Sequence, residues 1–148
     1  MNDEDKRIFQ FFNEVGIINQ LASAIFSSRL ADGLHISHFA LLNNLVRMGD
    51  GKTPLMLANA FQVPKTTMTH TLSVLEKRGA ITLAPHETDG RSKLVFLTDE
   101  GREIHAAAIH SMADPIHKMK NDLGADSFLE LMPELARIRA YLDDNREI

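Results

Sequence analysis

The chain has 148 residues, 44% apolar and 24% charged, the profile of one ordinary globular domain long enough for a real core. With no cysteine, disulfides, thiolate zinc sites and thiol-based redox sensing are all excluded. No apolar run approaches the ~20 residues that cross a bilayer, and the opening MNDEDKR carries no signal-peptide apolar region, so a soluble, cytoplasmic protein without a membrane partner is expected.

Ile8, Phe11, Phe12, Val15, Ile18, Leu21, Ala22 and Ile25 recur at helical spacing and predict a long amphipathic helix over residues 5–30. Asp32-Gly33 stops it. Ser37 is the candidate N-cap of a second helix through Phe39, Leu41, Leu42, Leu45, Val46 and Met48. Gly49-Asp50-Gly51 breaks that helix. Thr53 before Pro54 is an N-cap with a first-turn proline, opening a short helix to about Phe61.

Gln62-Val63-Pro64 makes a turn, and the next helix runs from about Lys65 to Arg78, ended by Gly79. Met68, Leu72 and Leu75 form its inward stripe, leaving Thr66, Thr69, His70, Ser73 and Lys77 outward. Ala80 to Leu83 and Leu94 to Thr98 have strand character and flank the polar loop of residues 86–92, a β-hairpin. Thr98-Asp99-Glu100 opens another helix through Ile104, Ala108, Ile109 and Met112, expected to kink if it continues past Pro115. Gly124 breaks it. The last helical stretch, from about Ser127, carries Phe128, Leu131, Met132, Leu135, Ile138 and Leu142, with a kink or break at Pro133.

Helix, turn, helix and a basic-tipped hairpin are what a winged helix-turn-helix uses to grip duplex DNA. Lys65, Thr66 and Thr67 stand at a helix N-terminus, where backbone N–H groups and the dipole favour a phosphate. Threonine hydroxyls and methyls suit base edges and thymine methyls, and Lys can reach guanine. Thr69, His70 and Ser73 lie deeper on the same face. In the hairpin Arg91 and Lys93 are the phosphate or minor-groove candidates, and Asp89 positions Arg91 or closes the turn. Charge tempers this reading. The net charge is -4, and even the favoured residues 51–105 hold only 7 Lys or Arg against 6 Asp or Glu.

The chain resembles the MarR family of transcription regulators. The resemblance is carried by Leu57-Ala58 with Phe61-Gln62-Val63, Thr66 to Thr69, the helix end LEKRG (residues 75–79), the wing Asp89-Gly90-Arg91-Ser92-Lys93 and the following LTDEG (residues 97–101). It implies a homodimer joined through the first and last helices, with two lobes on successive major grooves of a pseudo-palindrome. It also implies a repressor that releases DNA when a small phenolic or lipophilic effector binds between the dimerisation helices and the DNA-binding lobe. Pocket candidates on the two helices so placed are Phe12, Asn19, His38, Phe39 and Leu42. Phe39 and Leu42 read first as core, and Asn19 and His38 as ligand-orienting groups. Two departures weaken the expected phosphate grip: the family often has Arg where His70 stands and basic residues at Leu83 and Ala84. Protonation of His70 would add charge beside DNA.

The expected fold is therefore mainly α with a small β-hairpin wing, in one domain over residues 1–148. The winged lobe spans about 37–100, with dimerisation helices at about 5–30 and 101–145. The apolar stripes of the terminal helices argue independently for a partner. A different class remains open, a winged-helix protein-interaction module without DNA binding, favoured by the acidic balance and opposed by Lys65, Arg91 and Lys93. A metal-responsive regulator is a second alternative, with Asp32, His35, His38 and His105 as its ligand set, although no ligand motif supports it. There is no phosphate loop, nucleophile elbow or HExxH, so neither an enzyme nor a cofactor is expected.

Overall fold

A computed structural model describes residues 1–31, 33–86 and 92–147. The chain forms two compact units, Met1–Ser111 and Met112–Ile148.

The first unit holds α1 (Asp3–Ser27), α2 (Ile36–Met48), α3 (Pro54–Phe61), α4 (Lys65–Lys77), β1 (Ile81–Pro85), β2 (Lys93–Leu97) and α5 (Asp99–His110). The strands pair antiparallel with Ile81 opposite Leu97 and Pro85 opposite Lys93. The connection after α2 adds a short edge to this hairpin. Lys52 bridges Val95, the Gly51 N–H donates to the Val95 carbonyl at 2.7 Å, and the Asp50 carboxylate accepts from the Leu97 N–H at 3.2 Å. The wing is thereby fastened to the helices behind it.

Local chemistry sets the helix ends. The Thr53 hydroxyl accepts from the Met56 N–H at 3.2 Å, and Pro54 stands in the first turn of α3, where its missing N–H costs nothing. Gln62 takes the left-handed conformation, φ 52°, to close the turn into α4. The start of α2 departs from expectation. Its N-cap is His35, not Ser37, and the His35 N–H donates to His38 Nδ1 at 3.0 Å. An imidazole at the third helical position thus does what Glu or Gln does in a capping box.

The core forms where α2, α3, α4 and the hairpin meet. Leu41, Leu42 and Leu45 of α2 pack with Leu57 and Ala58 of α3, Met68, Leu72 and Leu75 of α4, and Ile81 and Val95 of the strands. Leu41, Leu57 and Leu75 are fully buried, each worth about 2 kcal/mol of transfer free energy. α1 is different, for none of its residues is buried.

The second unit holds α6 (Ala113–Leu123), α7 (Asp126–Leu129) and α8 (Met132–Asp144). Pro115 sits in the first turn of α6, so the helix begun at Asp99 ends and a new one starts. Pro133 similarly falls in the first turn of α8, resolving the kink-or-break alternative as a break. Among the described residues no helix is long and apolar enough to cross a membrane.

Candidate nucleic-acid interface

The two faces of α4 have opposite roles. Met68, Thr71, Leu72 and Leu75 are buried, while Thr66, Thr67, Thr69, His70 and Lys77 are exposed and Ser73 is half-buried. Pro64 caps α4 without a side-chain hydrogen bond, so the first N–H groups of the helix point outward without a side-chain acceptor. They stand with Lys65, which is exposed. The Thr69 hydroxyl donates to the Lys65 carbonyl at 2.8 Å, which fixes its rotamer and leaves its methyl and a lone pair for a ligand.

The hairpin lies beside this helix. Lys93 is exposed at the start of β2. Asp89 and Arg91, the other wing candidates, lie outside the described residues. Lys65, Lys77 and Lys93 form no ion pair among the described residues. Between α4, the hairpin and the start of α3 is an open cleft of about 400 Å3, lined by Lys65, Thr69, Ser73 and Glu76 on one side and by Leu83, Ser92 and Lys93 on the other. The structure therefore brings Lys65, Thr69, Ser73 and Lys93 to one concavity. Leu83 and Ala84 are half-buried in β1.

The candidate pocket residues are dispersed. Phe12 and Asn19 are exposed on α1, with the Phe12 ring edge-on to Phe11. Leu42 is core. Phe39 lies in an aromatic stack, edge-on to Phe26 at 4.4 Å and parallel to His105 at 5.4 Å. His105 Nε2 is 3.1 Å from Asn43 Oδ1. Phe26 and Asn43 carry no local signal in the sequence, because their partners Phe39 and His105 lie far along the chain.

His38 and His105 are buried, and burial lowers the pKa of both. Electrostatic interaction with His35, Arg78 and His70 depresses His38 further. Of the metal candidates, Asp32 lies outside the described residues, His38 Nδ1 already accepts a hydrogen bond, and His105 is stacked on Phe39. Among the described residues no three His, Cys, Asp or Glu side chains gather as a metal site would require.

A helix–turn–helix whose second helix presents exposed hydroxyl and basic groups, followed by an antiparallel hairpin, defines a winged helix-turn-helix protein. Residues 32–92, which span α2 through β1, match the model of the MarR family. The chain's fold is similar to that of the transcriptional regulator BldR from Sulfolobus solfataricus, at 22% identity and a TM-score of 0.77, over 95% of this chain and 99% of that one. It is also similar to a mutant of E. coli MarR complexed with operator DNA, at 22% identity and TM-score 0.70, over 93% and 99% of the chains. A third likeness is to PcaV from Streptomyces coelicolor in complex with its natural ligand, at 21% identity and TM-score 0.65, over 85% and 89%.

Proposed function

We propose that this protein is a homodimeric, sequence-specific DNA-binding repressor that leaves a pseudo-palindromic operator when a small phenolic or lipophilic ligand binds. The observation that carries the reading is α4. Its exposed threonines and uncapped N-terminus, with Lys65 and Lys93 free of ion pairs among the described residues, make a surface suited to bases and phosphates together. Thr66, Thr67, Thr69, His70 and Ser73 are assigned to the major groove, Lys65, Lys77, Arg91 and Lys93 to phosphates, and Asp89 to positioning the wing. The E. coli relative in complex with operator DNA supports the partner, and PcaV with its natural ligand supports an effector.

The dimer is supported by what α1 leaves uncovered. Phe9 is 68% exposed and Ile18 63%, far more apolar surface than a lone helix keeps in water. In the second unit Leu131, Met132 and Tyr141 are equally open. The effector site is assigned to the α1–α2 region, with Phe39 and Leu42 as wall and Asn19, His38 and Phe12 around the entrance.

The test is a fluorescence-anisotropy titration with the protein's own upstream intergenic DNA and with scrambled DNA over a salt series. Preference for the intergenic duplex, with affinity falling steeply as salt rises, is expected. Binding to neither duplex at low salt would favour a protein-interaction module instead, which the half-buried Leu83 and Ala84 in place of basic residues would suit.

A further inference from the structure

Among the described residues, the cleft between α4 and the hairpin is lined by one acidic side chain, Glu76. Lys65, Thr69, Ser73 and Glu76 follow at steps of four, four and three and so share one face of the helix. Glu76 is exposed, and its carboxylate has no ion pair among the described residues. Leu83, on the opposite wall, offers it no cation.

The inference rests on the DNA-binding reading above. A helix in the major groove and a wing reaching the adjacent minor groove have one sugar-phosphate strand between them, because that strand separates the two grooves. The cleft between α4 and the hairpin is where it must run. We propose that Glu76 is an affinity-limiting residue that opposes this phosphate strand and so suppresses binding to arbitrary duplex DNA. Lys65 and Lys93 attract the strand, and Glu76 offsets part of their pull. Base contacts from the threonines then decide whether a duplex is held at all. Repulsion built in against the wrong partners is a recognised route to selective occupancy, and it accounts for a winged segment that is barely basic.

The experiment compares the parent, Glu76→Gln, Glu76→Ala and a control in the second unit, Glu147→Gln, by anisotropy, on intergenic and scrambled duplexes, from low to moderate salt. Both Glu76 variants are expected to tighten both duplexes by roughly 3–10-fold at low salt, the size of one unscreened charge contact. The salt dependence should steepen, with the gain shrinking as salt rises. Glu147→Gln should match the parent. A purely structural role for Glu76 would alter thermal unfolding without this salt signature. Unchanged or weaker binding by the Glu76 variants overturns the inference. So does a loss confined to the intergenic duplex, which would mark Glu76 as a base contact, or an equal gain in Glu147→Gln, which would mark net charge alone. If parent and variants bind neither duplex at the lowest salt, the DNA-binding reading fails first and carries this inference with it.

Discussion

The tightest single constraint is at Gly101, in the first turn of α5. A Cβ there would stand 2.1 Å from the Ala80 carbonyl oxygen and 2.8 Å from Leu97 Cδ1, and the first of these is backbone that cannot step aside. Gly101→Ala should therefore destabilise the protein by about 2–3 kcal/mol, seen as a lower denaturant midpoint. Thr98 completes the same corner by donating to the Gly79 carbonyl at 2.5 Å and accepting from the Gly101 N–H at 3.0 Å. His38 makes a second prediction. Its pKa in the folded protein lies below the ordinary 6.5, from burial first and then from His35, Arg78 and His70. The folded state thus binds this proton less readily than the unfolded chain. Stability is intact above about pH 7 and should decline as pH falls through the unfolded value of 6.5 toward the lowered one. Gln in place of His38 can still accept the His35 N–H. Denaturation of His38→Gln across this range should show a flatter pH profile than the parent, and an identical profile would remove His38 as the cause.

At the scale of the element, the roles proposed for α4 and the wing divide affinity from specificity. Lys65→Ala and Lys93→Ala should each weaken intergenic and scrambled duplexes alike, and each should lower the salt slope by about one. Thr66→Ala should instead cost affinity mainly on the intergenic duplex, by about 1–3 kcal/mol if it reads a base. The two patterns are separable in one titration series. A lysine variant that loses only specific binding would reassign that residue to base readout.

For the whole molecule, the determining quantity is the apolar surface of the terminal helices. Ile18 and Leu21 are 63% and 62% exposed on a helix with no buried residue. Placing Glu at both should convert the proposed dimer to monomers in sedimentation equilibrium. The loss of linked half-site binding should then lower operator affinity by roughly 10²-fold or more. A parent already monomeric at micromolar concentration would contradict the dimer.

Most of the winged lobe was legible in the sequence because its signals are local. Thr53-Pro54, the Gln62-Val63-Pro64 turn, the period of Met68, Leu72 and Leu75, and Gly79 each act within a few residues of themselves. The outward face of α4 followed from the same period, and with it most of the candidate interface. The cap of α2 was misplaced because imidazole is an uncommon acceptor at that position, and the pattern of small hydroxyl residues pointed to Ser37. Other features had no local signature at all. The Phe26–Phe39–His105 stack, the approach of His105 to Asn43 across 62 positions and the Asp50 clamp on Leu97 across 47 arise only when distant segments close on one another. The meeting of Glu76 with Lys93 in one cleft is of the same kind. Short-range backbone and side-chain preferences determined the elements and their faces, whereas long-range packing decided which charges and rings share a space.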